Sequence, residues 1–214
     1  MNKSIAIAGI HTGIGKTIAS AVVAEAIGAD YWKPVQAGKD QRDALLIKEL
    51  LTNGEQRVHE EEIILSEPLS PHAAAAIDGV AIDFRTFKWP ATDKTLLIET
   101  AGGVLSPISA DSTMADFIAF YNLPVLLVSM NYLGSINHTL MSIEVLKNRG
   151  IKILGVIMNG LENEQSELFI RQYGGVPLIA RILFISTLDN DSIKRRALQI
   201  KPALLQILHD ANNQ

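Results

Sequence analysis

Apolar and polar positions alternate along this chain on two different periods. Short runs that are apolar on both parities predict buried strands at 4–8, 95–98, 124–129 and 151–158, because strands covered on both faces show no polar alternation. Shorter runs at 31–35, interrupted at Lys33-Pro34, and at 177–182 predict two more. Between them lie segments with apolar residues at helical spacing: 16–27 closed by Gly28, 41–51 ending near Asn53-Gly54, 135–148 closed by Gly150, 164–173, and 192–208. An alanine-rich helix is expected to open at Ser70-Pro71-His72, where a first-turn proline gives up no hydrogen bond. Strand and helix alternate with no composition break, repeat or low-complexity linker. The expectation is one α/β domain over 1–214, a doubly wound, mostly parallel sheet with helices on both faces. In such sheets ligands sit at the carboxyl ends of strands. Gly9, Lys33, Glu99 and Asn159 each follow a predicted strand, so they should meet on one edge.

Composition narrows the classes. A chain of 214 residues that is 48% hydrophobic and 20% charged has the make-up of a compact globular domain. With no cysteine, disulfides, thiolate metal sites and cysteine nucleophiles are excluded, and a reducing, cytoplasmic setting is expected. The net charge of −4 argues against nucleic-acid binding, which needs a basic face. No apolar stretch reaches the length of a membrane span, and the run after Met-Asn-Lys-Ser is too short for a signal-peptide core. The five histidines lack metal-ligand spacing, Glu60-Glu61-Glu62 reads as a solvated face, and Lys194-Arg195-Arg196 opens a last helix interrupted at Pro202.

The most informative segment is Gly9-Ile10-His11-Thr12-Gly13-Ile14-Gly15-Lys16-Thr17, between the first strand and first helix. Gly13 and Gly15 let backbone N–H groups turn around phosphate oxygens at a positive helix N-terminus. Lys16 is placed for terminal phosphates and the Thr17 hydroxyl for Mg²⁺. The ordinary spacing requires glycine at position 10, where Ile10 stands; Gly9 lies one residue too early. Further along, Lys33 ends the second strand beside Pro34, Asp43 opens a helix, and Glu99 ends a strand before Gly102-Gly103. Two carboxylates and a hydroxyl are the oxygen ligands that Mg²⁺ prefers.

These segments, in order, together with Leu69-Ser70-Pro71-His72-Ala73 and Leu133-Gly134-Ser135-Ile136-Asn137-His138, resemble the dethiobiotin synthetases from the first strand to about Asn159. The resemblance implies a homodimeric ATP- and Mg²⁺-dependent ligase. It carboxylates 7,8-diaminononanoate with CO₂, phosphorylates the carbamate with ATP, and closes the ureido ring. It also implies roles: Lys33, Lys16 and Thr12 in catalysis, and Thr17, Asp43 and Glu99 as metal ligands. Nucleotide contacts would come from Gly13, Ile14, Gly15, Lys16, Thr17, Ile18, Asp43, Glu99, Thr100, Ala101, Gly102, Asn159 and Gly160, with Asn159 reading the base. Substrate contacts would come from Ala37, Ser70, Gly134, Ser135 and Asn137, the last three across a dimer interface, with Ser135 capping its helix.

The sequence departs from the family pattern in four places. Thr100 replaces a glycine and is expected to shift Glu99. Ala37 replaces a hydroxyl residue. Lys39, Asp40 and Arg42 are expected to crowd the site, and Ala180-Arg181-Ile182-Leu183 lacks the glycine and proline of a base pocket. The competing reading is a partition-type ATPase switch. Corrinoid amidotransferases share the loop but need a cysteine nucleophile this chain lacks.

Overall fold

The computed structural model describes residues 4–212. The chain runs β1 (Ser4–Gly9), α1 (Lys16–Ile27), β2 (Asp30–Trp32), β3 (Val35–Ala37), α2 (Asp43–Leu50), α3 (Gly54–Arg57), β4 (Ile63–Leu65) and α4 (Pro71–Asp78). It continues β5 (Leu96–Glu99), α5 (Met114–Phe120), β6 (Val125–Met130), α6 (Ser135–Asn148), β7 (Ile153–Asn159), α7 (Glu164–Gly174), β8 (Leu178–Ile182) and α8 (Asn190–Asn212).

Six strands form one parallel sheet in the order β2-β5-β1-β6-β7-β8. The runs apolar on both parities fall in its middle, where Ala6, Ile7, Ala8, Leu126, Leu127 and Val128 are fully buried. Helix α1 packs with α8, and α6 with α7. Parallel strands joined through helices cross over right-handedly, so β1 sends its helix to one face while β5 and β6 send theirs to the other. That divergence opens a crevice at the carboxyl end of β1. Register aligns Ile7 with Glu99, Gly9 with Val128, and Met130 with Asn159, so the predicted strand-end residues share one edge.

The predicted strand at 31–35 is two strands in two sheets. Pro34 has no N–H to donate and restricts the residue before it. The main-sheet pairing of β2 therefore stops at Trp32, and β3 pairs instead with β4 in a separate two-stranded parallel sheet. Helix α8, expected to break at Pro202, runs through it. Pro202 and the neighbouring Lys201 are exposed, so water can take up the freed carbonyl. Nor is Glu60-Glu61-Glu62 uniformly solvated: the Glu61 side chain is buried against the Arg42 guanidinium, and only Glu60 of that pair stays exposed.

Candidate nucleotide and phosphoryl-transfer site

The crevice holds a cleft of about 920 Å³, and most of the residues singled out above line it. Thr12, Gly13, Gly15, Lys16, Thr17 and Ile18 come from the turn and first helical turn after β1. Lys33 follows β2, Ala37 ends β3, Asp43 opens α2, Ser70 precedes α4, Glu99 ends β5, and Ala101 and Gly102 follow it.

Local chemistry shapes the phosphate turn. A Cβ on Gly9 would lie 2.8 Å from Cδ of Lys16, so the glycine one place early clears the path of the lysine stem. Lys16 Nζ then donates to the His11 carbonyl at 3.1 Å. Gly15 is required twice over. Its φ is 81°, and a Cβ there would sit 1.9 Å from Nδ2 of Asn159. That amide, at the end of β7, donates to the Ile14 carbonyl at 2.8 Å. Gly15→Ala is therefore expected to add about 1–2 kcal/mol of left-handed backbone strain and to expel the Asn159 side chain. Nucleotide titration should show at least ~10-fold weaker binding, since each 1.4 kcal/mol is tenfold; an unchanged affinity would refute this coupling.

At the cleft floor, side chains from α1, α2, β5 and the residue after β2 meet. The Thr17 hydroxyl lies 2.8 Å from Asp43 Oδ1 and 3.1 Å from Glu99 Oε1. Lys33 Nζ pairs with Asp43 Oδ2, and lies 3.5 Å from Glu99 Oε1. The other Glu99 oxygen, Oε2, accepts from Ser20 Oγ at 2.7 Å and from the Tyr31 hydroxyl at 3.1 Å. Lys16 and Lys33 are each 7% exposed and Glu99 1%. Burial pulls the Lys16 ammonium below the ordinary lysine range; Glu99 opposes that shift and Lys33 adds to it. Burial acts on Lys33 in the same sense, but the adjacent Glu99 and Asp43 charges outweigh it and hold Lys33 above that range. Tyr31 is pushed well up by burial and by the Glu99 charge, so its phenol stays a donor.

Other candidates lie differently. Ile14 is buried behind the turn. Thr100 is tied to β1: its N–H and hydroxyl both reach the Ile7 carbonyl, at 3.0 and 3.3 Å, which continues the β1–β5 ladder beside Glu99. Arg42 does not crowd the cleft, because its guanidinium is held by Glu60 and Glu61. Asp40 lines the cleft, and both it and Lys39 are exposed. Gly134, Ser135 and Asn137 do not line the cleft. Ser135 is the first residue of α6 and not its cap: Gly134 takes the cap position with φ 97°, and the Ser135 hydroxyl accepts from the Tyr132 N–H. Gly160, with φ 84°, follows Asn159 at the end of β7. Arg181 is paired with Glu162 and Glu167.

The sequence reading missed three contributors. Buried Gln36 donates from Nε2 to the carbonyls of Ala37, Gly38 and Gln41 and accepts from the Asp43 N–H, so it shapes the loop that presents Asp43. Ser20 lies one helical turn after Thr17, and Tyr31 two residues before Lys33 on the same strand face. Both spacings were visible.

A strand–turn–helix phosphate loop at the switch point of a parallel sheet, with one carboxylate from a neighbouring strand end and one from the start of a helix, defines a P-loop nucleotide-binding protein. Solved structures agree at the level of the fold. A putative plasmid partition protein from Borrelia burgdorferi bound to AMPPNP superposes with a TM-score of 0.55 at 11% identity, covering 99% of this chain and 100% of that one. MinD from Pyrococcus horikoshii complexed with Mg-ADP gives 0.53 at 18% identity, over 94% and 90% of the two chains. The family profile described as an AAA domain matches residues 3–192. Sequence relatives are far more similar. The ATP-dependent dethiobiotin synthetase BioD of Christiangramia forsetii is 44% identical over 97% of this chain and 100% of its own length. That of Cytophaga hutchinsonii is 42% identical over 84% and 88%. The chain belongs to the ATP-dependent dethiobiotin synthetase family, a family of enzymes.

Proposed function

We propose that this enzyme closes the ureido ring of dethiobiotin from 7,8-diaminononanoate, CO₂ and ATP. The observation that carries the reading is the meeting of Lys33 with the phosphate-loop group at one carboxylate-lined floor. A partition-type switch has no use for a second buried lysine on the Lys33-Pro34 segment, and the likeness to partition and MinD proteins is one of fold alone.

In this reading one amine of the diamine takes up CO₂ to give a carbamate. A carbamate oxygen attacks the γ-phosphorus of ATP, releasing ADP and leaving a carbamoyl phosphate. The second amine then attacks the carbonyl carbon, closes the ring and expels phosphate. Two anions must approach each other, so the catalytic work is positioning and charge neutralisation. Lys16 serves the triphosphate from the loop, Lys33 serves the reacting oxygens from the cleft floor, and Thr12 lines the same cleft from the loop.

The cleft floor fits a divalent cation. Thr17, Asp43 and Glu99 present only oxygen, clustered about one point. No group of three or more His, Asp or Glu side chains that could hold a metal occurs among the described residues. Mg²⁺ suits such a partial site, because it takes one or two carboxylates and fills its octahedron with phosphate oxygens and water. When bound, Mg²⁺ supplies charge neutralisation across the phosphates. Asn159 has one amide hydrogen committed to the Ile14 carbonyl. That leaves its oxygen to accept and its other hydrogen to donate, a pattern matching the amino group and N7 of adenine. The site is assigned to a homodimer, in which the Gly134–Asn137 segment serves the partner's cleft.

The test is to supply ATP, Mg²⁺, bicarbonate and 7,8-diaminononanoate and to look for dethiobiotin by mass spectrometry. ADP release that depends on the diamine supports the ligase. ADP release indifferent to the diamine but stimulated by DNA or vesicles would sink it. Lys33→Ala is expected to lower kcat by on the order of 10²–10³-fold, the scale of losing one transition-state donor. ATP affinity should change little, which separates a role at the reacting oxygens from one at the nucleotide.

A further inference from the structure

Both oxygens of Glu99 are specified, and by different kinds of group. Oε1 lies toward the cleft beside Thr17 and Lys33, at 3.1 and 3.5 Å. Oε2 lies away from it and accepts from two hydroxyls, Ser20 Oγ at 2.7 Å and the Tyr31 phenol at 3.1 Å. Ser20 and Tyr31 are both 0% exposed, so neither hydroxyl reaches bulk solvent. They come from separate elements, α1 and β2, and converge on one atom from within the core. Neither lines the cleft. A carboxylate held in this way has lost the rotation about its terminal bond that would bring both oxygens to the same side.

We infer that Ser20 and Tyr31 are positioning residues that fix Glu99 as a one-oxygen ligand, and thereby set the cleft floor for a small divalent cation in preference to a large one. The inference rests on the assignment of Thr17, Asp43 and Glu99 as the cation-binding groups. Its physical basis is a difference between hard cations. Mg²⁺ and Mn²⁺ take single carboxylate oxygens in a tight octahedron, whereas Ca²⁺ accepts more oxygens and readily takes a carboxylate by both. Groups that orient metal ligands from behind typically contribute about 10–100-fold in metal affinity.

The experiment uses Mn²⁺ as a spectroscopic probe on the protein saturated with ADP, with Ca²⁺ as competitor, in wild type, Ser20→Ala, Tyr31→Phe and the double variant. Electron paramagnetic resonance reads free Mn²⁺, and ADP affinity in EDTA reads the nucleotide site without metal. The double variant is expected to bind Mn²⁺ about 10-fold more weakly or worse, to lose less affinity for Ca²⁺, and to keep its metal-free ADP affinity. Unchanged Mn²⁺ affinity overturns the inference, and so do parallel losses for the two cations, since either leaves the hydroxyls with a purely structural role. Should the double variant not fold, Tyr31→Phe, which removes one oxygen and little volume, is judged by the same two criteria. Glu99→Gln separates the levels. If it leaves Mn²⁺ binding intact, the assignment of the cation site itself fails. If it weakens binding while the Ser20 and Tyr31 variants do not, only this inference fails.

Discussion

Replacing Lys16 with alanine should abolish detectable product while leaving the empty protein as stable as before, or slightly more so. The two effects share one cause. Lys16 is buried, and among the described residues its ammonium donates to the His11 carbonyl; burial depresses its pKa in the fold. The sign of the linkage follows. Between the depressed folded pKa and the ordinary lysine value, the unfolded chain holds more protons than the folded one. Stability therefore rises with pH across that window, and at neutral pH the buried charge is a cost. Triphosphate oxygens repay it, since hydrogen bonds between charged partners are about twice as strong as neutral ones. Nucleotide titration should show ATP affinity falling by at least ~10–100-fold, from ~1.5–3 kcal/mol for one such bond, and kcat by on the order of 10²–10³-fold. Urea midpoints should match or exceed wild type. A clear drop in stability would mean that Lys16 braces the loop and that its binding role has been overstated.

Glu99→Ala is expected to behave in the opposite way, losing stability and function together. Four groups point at this carboxylate: Thr17, Ser20, Tyr31 and Lys33. Removing it orphans two buried hydroxyls, at about 1–3 kcal/mol each, and leaves the Lys33 ammonium with Asp43 as its remaining carboxylate. The combined loss, about 3–5 kcal/mol, is a large part of the 5–15 kcal/mol that typically holds a domain together. Glu99→Gln keeps an acceptor oxygen and the volume but removes the charge. It should recover much of the stability and none of the turnover. Chemical denaturation and product formation on the two variants separate packing from charge; equal stability of Glu99→Ala and wild type would show that the buried cluster is not coupled to folding.

The fold was readable wherever one physical rule dominated. The central strands are apolar on both parities because both faces are covered, and the glycine-rich turn sits where phosphate chemistry demands it. Strand-end placement was enough to bring Lys33, Glu99 and Asn159 to one edge. What could not be read depended on partners remote in sequence. That Glu61 is buried and Arg42 withdrawn follows from their pairing across the 43–59 segment, which no local pattern encodes. β4 and α3 are too short to show a period, and β3 leaves the main sheet because its partner is β4. The acceptor of the Thr100 hydroxyl was equally hidden: it is the Ile7 carbonyl, far away in sequence. Ser20 and Tyr31 were legible by spacing, yet their significance required knowing where Oε2 of Glu99 points.

The break at Lys33-Pro34 has a consequence for how such a catalyst can diversify. The wall carrying the phosphate turn and Glu99 is framed by the large sheet, while Ala37, Gly38, Pro68 and Ser70 on the facing wall are borne by the small sheet and its flanking loops. Under the proposed reading, the energy-supplying half is framed by one sheet and the acceptor-recognising half by the other, with Asp43 of the intervening α2 returning to the floor between them. Exchanges confined to residues 66–70, most of which line the cleft and none of which is a partner of Thr17, Lys33 or Glu99, would then retune which acceptor is embraced, with the triphosphate grip inherited unaltered.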